Sequence, residues 1–240
     1  MDALVEIFMK AEELTVDFVG TQDHKFWCRV GSISAIVLGL GYIVIIWLYA
    51  RVGAPPSGGV AWLNYLHGKT AIWWAILALS VFTDFLYVPI ALSLYLTLKK
   101  VNSNAMILAT AFIGLFVVLD LAITWSHYAS ILMLYGNYST ATSDLQREGY
   151  LAAINYGAAM LTSPLEVVYA IVTLSFGILV AGIVMLKGVF DKFTAYLALA
   201  TGVFGIASLT GFSVAIIGNA LLCTLWLFFV GHRLYRLAQD

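Results

Sequence analysis

Long apolar runs, separated by short polar or charged breaks, constrain the fold of this 240-residue chain more than any other feature. A helix that spans a bilayer needs about 20 mostly apolar residues. Six runs approach or exceed that length, from about Gly31 to Tyr49, Ala71 to Leu98, Ala105 to Tyr135, Pro164 to Leu186, Phe193 to Leu209 and Phe212 to Leu234. We therefore predict an all-α, polytopic integral membrane bundle with six transmembrane helices.

Composition excludes several other classes of protein. Hydrophobic residues make up 62% of the chain and charged residues only 10%, whereas soluble domains carry about 25% charged residues. The apolar excess is expected to face the lipid bilayer. The 12 basic and 13 acidic residues nearly balance, so nucleic acid is not an expected partner. Two cysteines are too few for a disulfide-rich secreted fold.

Short polar segments indicate where the runs end. The breaks after the second, fourth and fifth runs are Lys99–Asn104, Lys187–Lys192 and Thr210–Gly211. The last break is so short that the fifth and sixth runs can also be read as one bent element. Before the fourth run, Ser163 and Pro164 are typical of a helix start, and Glu166 is predicted to complete a capping box.

Basic residues set the predicted orientation, because cytoplasmic loops carry an excess of Lys and Arg. With six spans, one side of the membrane holds both termini and nine basic residues, namely Lys10, Lys25, Arg29, Lys99, Lys100, Lys187, Lys192, Arg233 and Arg236. The other side holds three, which are Arg51, Lys69 and Arg147. We therefore predict a multi-pass cell-membrane protein with both termini in the cytoplasm.

Two segments outside the apolar runs are also predicted to be helical. Apolar residues recur at helical spacing between Asp2 and Phe18, opposite an acidic face, which predicts an amphipathic helix that lies on the protein's own cytoplasmic face or binds a partner. The predicted domains are thus a cytoplasmic amphipathic segment, 1–28, and a six-helix transmembrane domain, 29–240. In the long connection after the third run, residues 143–160 are predicted to form a short outer helix.

Two acidic residues, Asp84 and Asp120, lie well inside predicted spans, where an aspartate costs about 2.5–3.5 kcal/mol on insertion scales. The turn between those spans centres near residue 102, and the two aspartates are equally far from it in sequence. Because each residue of a helix rises by about 1.5 Å, the two carboxyl groups are predicted to lie at similar depth. Whether they face each other depends on helix rotation, which the sequence does not fix.

Polar residues follow each aspartate at helical spacing. Residues three and four apart share one face of a helix, so a polar stripe runs along each of the two spans, and a polar residue of the sixth span is expected to reach the same site. The predicted ligand- or proton-binding residues are Asp84, Asp120, His127, Tyr87, Ser80, Thr124 and Asn219. Pro89 removes a backbone hydrogen bond beside Asp84, so we expect a kink there to open a pocket.

Three interpretations of this acidic pair follow, because two close carboxylates cannot both ionise cheaply. The first is a proton or cation site in a transport path. The second is a metal site in which Asp84, Asp120 and His127 serve hydrolytic chemistry. The third is a structural hydrogen-bonded network that holds two helices together. Motifs for covalent, nucleotide-dependent, haem or retinal chemistry are absent from the sequence, so we expect no cofactor and assign no catalytic residue.

The leading functional prediction is therefore a small transporter or channel-like protein that handles a proton, a cation or a small polar ligand at the carboxylate pair. The alternatives are a non-catalytic membrane subunit or scaffold that binds partner proteins, and an intramembrane metal-dependent hydrolase. Beyond the lipid bilayer, the expected partners are another copy of this chain or a second membrane subunit.

Three glycine-rich segments, Phe176–Gly182, Lys187–Phe190 and Ala200–Gly205, carry a resemblance to known proteins. They are similar to segments of bacterial six-span membrane proteins of unknown function. The resemblance implies a multi-helical bundle and implies no activity. No site residue is carried over from it.

Overall fold

The computed structural model describes residues 2–239, with the side chains of residues 22–212 and 214–239. This part of the chain is mostly helical and contains no strand, which confirms the all-α prediction. The α-helices are α1 (Asp2–Val52), α2 (Gly59–Leu66), α3 (Thr70–Leu119), α4 (Ser126–Thr140), α5 (Asp144–Leu161), α6 (Pro164–Val167), α7 (Thr173–Met185), α8 (Lys192–Ala207) and α9 (Ser213–Leu237). Two π-helices, Asp120–Trp125 and Val168–Val172, join α3 to α4 and α6 to α7.

Five helical stretches are long and apolar enough to cross a membrane. They are Gln22–Val52, Thr70–Thr140, Pro164–Met185, Lys192–Thr210 and Val214–Leu237. Large apolar side chains on these stretches point away from the bundle; Ile33 is 62% exposed and Val118 is 63% exposed. Exposed apolar surface on this scale matches an integral membrane protein, whose outer surface is solvated by lipid.

The helix α3 reverses direction at Asn102, whose backbone angles (φ −157°, ψ 95°) are not helical. On either side of it, the rings of Tyr87 and Phe116 lie 5.4 Å apart, whereas 29 residues of straight helix would separate them by about 44 Å. The Asn102 side chain accepts a hydrogen bond from the Ala105 N–H at 3.1 Å and so caps the returning helix. Residues 70–101 and 103–119 are therefore two antiparallel limbs.

Other helix ends follow the predicted signals. Ser163 caps α6 by accepting a hydrogen bond from the Leu165 N–H at 3.1 Å, with Pro164 in the first helical position. Ser143 caps α5, so the helix predicted at residues 143–160 is present in the structure as Asp144–Leu161. Gly211 adopts a left-handed conformation (φ +75°) between α8 and α9, which separates the fifth and sixth runs into two helices.

The first helix differs from the prediction in its continuity. No break separates residues 2–28 from the first span, because α1 is one helix from Asp2 to Val52. The predicted amphipathic face of residues 2–18 lies outside the side chains that the structure describes, so that face stays a prediction.

Two clusters of buried side chains fill the bundle. The larger contains residues of α1, α3, α7, α8 and α9, with Leu94 and Trp226 fully buried. The smaller lies under α2 and α5 and includes Trp62, Trp73 and Ile154. We call the end of the bundle that holds this aromatic cluster the loop end, because it also carries residues 53–58, α2 and α5.

Asp191 gives a stability prediction that depends on pH. It caps α8, because its carboxylate accepts hydrogen bonds from the Thr194 N–H (2.9 Å) and hydroxyl (2.8 Å). Partial burial opposes ionisation, but these hydrogen bonds prevail and hold the pKa of Asp191 below its ordinary value of 3.8. Asp191→Ala is therefore expected to lower stability by about 1 kcal/mol near pH 7, measured from unfolding midpoints.

The direction of this pH dependence follows from the lowered pKa of Asp191. A carboxylate with a depressed pKa in the folded state stabilises the fold above the unfolded pKa and loses that effect as pH falls through the folded pKa. The difference between wild type and Asp191→Ala is thus expected to be constant from pH 7 to pH 5 and to shrink below pH 3.8. Asp191→Asn is the control, because asparagine also caps helices but does not titrate. A difference that persists unchanged at low pH would contradict the assignment.

Candidate functional site

A cavity of about 660 Å³ lies between the two buried clusters, in the half of the bundle nearer the loop end. Its walls come from α1, from both limbs of α3, from the two π-helices and from α9. Three acidic residues, Asp84, Asp120 and Glu166, are among its lining residues, and no Lys, Arg or His of the described part of the chain lines it. The cavity is therefore an acidic site lined mainly by apolar and aromatic side chains.

The first π-helix positions Asp120. In the turn Asp120–Trp125, the wider helical geometry brings Asp120, Thr124 and Trp125 to the cavity wall together. The indole N–H of Trp125 donates a hydrogen bond to Asp120 Oδ2 at 3.0 Å, which fixes one carboxylate oxygen. π-Helical turns occur frequently at functional sites, and this one places an acidic group in the middle of a span.

The second π-helix, Val168–Val172, forms part of another wall through Ala170 and Ile171. The hydroxyl of Thr173 donates to the Val168 carbonyl oxygen at 2.7 Å and so gives that carbonyl a further hydrogen bond within the widened turn. The helix through Pro89, by contrast, keeps helical backbone angles, since Asn102 is the non-helical residue of α3. The cavity is lined by Thr83 and Asp84 of the limb that holds Pro89 and by residues of both π-helices, and the kink at Pro89 stays a prediction.

Asp84 and Asp120 come together in this cavity. Asp84 is 3% exposed and Asp120 is 5% exposed, and Asp84 lies against both Asp120 and Trp125. The two limbs of α3 meet at equal distances from Asn102, which brings the two aspartates to similar depth, as the hairpin spacing predicts. The rotation that the sequence left open turns both carboxyl groups into the same space.

Four buried polar atoms at this wall have no hydrogen-bond partner within the described part of the chain. They are Ser80 Oγ, Asp84 Oδ2, Asp120 Oδ1 and Thr124 Oγ1. All four residues line the cavity, and all four belong to the polar stripes predicted from helical spacing. Because more than about 90% of buried polar groups in native proteins are satisfied, four unsatisfied atoms around one cavity indicate a place where a ligand, an ion or water binds.

Tyr87 and His127 do not line the cavity. The Tyr87 hydroxyl contacts the Tyr42 hydroxyl at 2.8 Å and Cys223 Sγ at 3.4 Å. Tyr87 therefore packs against two residues of the cavity wall, Tyr42 and Cys223, without lining the cavity itself. His127 Nδ1 contacts the Ile123 carbonyl oxygen at 2.6 Å, away from the aspartates. A spacing of seven residues returns to the same face only in an α-helix, and the π-helix between Asp120 and His127 changes that register.

Asn219 lines the cavity and also joins three helices. Its side-chain amide donates to the Thr201 carbonyl oxygen at 2.8 Å and to Ser175 Oγ at 3.2 Å. These bonds tie α9 to α8 and α7. Asn219 is therefore mainly a structural residue at the edge of the site.

Glu166 is the acidic lining residue that the sequence analysis assigned to a helix cap. Its backbone N–H donates to the Ser163 carbonyl oxygen at 3.0 Å, but Ser163 Oγ accepts from Leu165 instead. Within the described residues, the Glu166 carboxylate makes no reciprocal capping bond and lies at the cavity wall. The capping-box prediction is therefore wrong for Glu166, and an acidic residue within an apolar run was the sequence signal for its true position.

The proposed metal site lacks a ligand set. Among the residues that the structure describes, no three His, Cys, Asp or Glu side chains are arranged to hold a metal ion. The histidine required for the hydrolase alternative, His127, does not reach the aspartate pair. The donor geometry thus gives the metal-dependent interpretation no support.

Comparison with known proteins does not add a function. No protein-family model, no curated protein and no solved structure matches this chain. The resemblance to bacterial six-span proteins of unknown function stays a prediction, and any function has to be inferred from the cavity itself.

Proposed function

We propose that this chain is a small transporter or channel-like membrane protein that binds its substrate at Asp84 and Asp120. The single observation that carries the proposal is the cavity of about 660 Å³ in which one buried oxygen of each aspartate, Asp84 Oδ2 and Asp120 Oδ1, has no hydrogen-bond partner in the described chain. Intramembrane acidic residues commonly mark ion pathways and proton relays. The substrate is then a proton, a cation or a small polar ligand.

The proposed topology has six spans with both termini in the cytoplasm. The reversal at Asn102 supports this count, because it divides the stretch Thr70–Thr140 into two limbs. With that division, the nine and three basic residues fall on opposite sides of the membrane, as the positive-inside rule requires. The cavity then lies in the outer half of the bilayer, and α2 and α5 lie on the outer face.

The cavity favours a binding site over a purely structural network. In a structural network between helices, each polar group would have a partner within the protein. Here the hydrogen bond from Trp125 reaches only one oxygen of Asp120, while the oxygens on the cavity side stay free. A proton shared between the two carboxyl groups, a cation or a ligand's hydrogen-bond donor would each satisfy these oxygens.

Purified protein in liposomes tests this proposal. A pH-sensitive dye trapped inside the vesicles reports proton flux after an external pH step, with and without Na⁺ or K⁺ gradients. We expect wild type to dissipate the gradient, and Asp84→Asn and Asp120→Asn each to fall at least tenfold toward the rate of protein-free vesicles, because each removes a carboxyl group that can bind and release a proton or bind a cation.

The matched control is Asp144→Asn, which removes an exposed acidic group on α5 that lies outside the cavity lining. It is expected to keep wild-type flux, and gel filtration of all variants checks that they fold. Equal flux from wild type and both cavity variants would refute the proposal. A wild type that conducts nothing and retains a co-purifying partner would instead support the non-catalytic subunit.

A further inference from the structure

The size of the cavity exceeds what a bare proton or metal ion requires. Small-molecule sites in proteins typically enclose about 300–1,000 Å³, and this cavity of about 660 Å³ falls within that range. Its lining combines acidic groups with aromatic rings, among them Tyr42, Tyr49, Trp125 and Tyr128. Such a lining suits an organic molecule with apolar surface rather than a bare ion.

The polar groups of the cavity are concentrated on one wall. Ser80 and Asp84 on the first limb of α3, and Asp120 and Thr124 on the first π-helix, form this polar wall. Isoleucines and leucines of α1, the second π-helix, α7 and α9 form the other walls, which also hold Glu166 and Asn219. A ligand that matches both walls carries a hydrogen-bonding or charged group at one end and apolar surface at the other.

The charge of the lining selects the sign of the ligand. Three carboxyl groups and no basic side chain surround the space within the described residues. A bound cation favours ionisation of the close aspartate pair and is held by it, whereas an anion meets no basic partner. Aromatic faces also attract organic cations, and the attraction grows when the site is desolvated.

The cavity also opens toward the lipid. Three of its lining residues, Ile46 on α1 and Ile217 and Leu221 on α9, are 39%, 59% and 56% exposed. These residues belong at once to the cavity wall and to the outer apolar surface of the bundle. These exposures point to a lateral opening between the end of α1 and the start of α9.

We propose that the ligand is a lipophilic organic cation, such as an ammonium group on an apolar body, that reaches the cavity from the bilayer between α1 and α9. This inference rests on the proposed function and names its substrate class. The cationic group lies against Asp84 and Asp120, the apolar body lies against the isoleucines, and the rings of Trp125 and Tyr128 contribute cation–π contacts.

The test uses two probes of matched size and shape and opposite charge, tetraphenylphosphonium and tetraphenylborate. Equilibrium dialysis against the full chain in lipid nanodiscs measures binding, with empty nanodiscs subtracted. We expect saturable binding of tetraphenylphosphonium and none of tetraphenylborate. Asp84→Asn and Asp120→Asn are each expected to weaken binding about tenfold or more, because a buried contact to a charged group is lost, whereas Asp144→Asn leaves it unchanged.

A second pair of variants tests the lateral opening. Ile217→Trp narrows the opening and is expected to slow association of tetraphenylphosphonium several-fold. Ile33→Trp is the control, because Ile33 is similarly exposed on α1 but lies outside the cavity lining. Equal association rates for the two variants would overturn the lateral route.

The outcomes separate this inference from the proposed function. If neither probe binds, or both bind equally, while proton flux still depends on Asp84, the organic-cation inference is overturned and the transporter proposal stands. If tetraphenylphosphonium binds in an Asp84-dependent manner and no flux is measured, the ligand class stands and transport is refuted. Binding that is unchanged in Asp84→Asn and Asp120→Asn overturns the cavity as the site.

Discussion

The Asp84→Leu variant is expected to unfold at a higher temperature than wild type and to lose flux completely. Asp84 is 3% exposed, and its Oδ2 has no hydrogen-bond partner in the described chain. A buried polar group without a partner costs about 1–3 kcal/mol, and 1 kcal/mol shifts the midpoint of a chain this size by about 2–4 °C. We therefore expect a rise of about 2–12 °C, measured by thermal unfolding in detergent or nanodiscs beside the flux assay.

The neighbouring aspartate provides an internal control with a different expectation. Asp120→Leu removes the acceptor of the Trp125 indole N–H. One unsatisfied group then replaces another, so the rise in the unfolding midpoint is smaller or absent. Combining Asp120→Leu with Trp125→Phe removes both partners and is expected to recover stability. A lower midpoint for Asp84→Leu would show that the pair is a structural network, which is the third interpretation of the sequence.

A rise in stability with a loss of function would be typical of a functional site. Binding sites keep groups that the folded protein alone does not satisfy, because the ligand supplies the missing contacts. The same variant therefore distinguishes two interpretations that both place Asp84 next to Asp120. Only a ligand-binding site predicts that Asp84→Leu raises the unfolding midpoint and abolishes flux.

The acidic pair and its nearest neighbours were predictable from the sequence for a simple physical reason. A helical hairpin of uniform rise places residues at equal distances from its turn at equal depth. Asp84 and Asp120 obey this relation about Asn102, and Ser80 and Thr124 follow one turn away. The position of two acidic residues inside apolar runs indicates the site, because an acidic group within a membrane span is costly.

The predictions for His127 and Glu166 were wrong because they depend on local backbone geometry, which residue spacing does not reveal. His127 was placed at the site by a spacing of 3.6 residues per turn, but the π-helix Asp120–Trp125 interrupts that period. No proline or glycine within that segment signals the change. Glu166 was assigned to a cap because Ser163 and Pro164 form a correct helix start, and the sequence does not show which way the carboxylate turns.

A close helix contact lies between α7 and α8. Gly202 faces the backbone of α7, and a Cβ added there would lie 2.9 Å from the Ser175 carbonyl oxygen and 3.0 Å from Leu179 Cα. Such distances cannot be relieved by rotating a side chain. Small residues at a membrane helix interface permit this close approach, which holds α8 where Thr201 accepts the hydrogen bond from Asn219.

Gly202→Ala is therefore expected to destabilise the protein by about 1–3 kcal/mol, because the added methyl group forces the two backbones apart. The matched control is Gly114→Ala in the second limb of α3, where an added Cβ meets no atom within 4 Å. Alanine is favoured over glycine inside a helix by about 0.5–1 kcal/mol, so the control is expected to raise the unfolding midpoint slightly. Opposite shifts for one chemical change follow from the α7–α8 contact alone, and equal shifts would show that α8 does not approach α7 this closely.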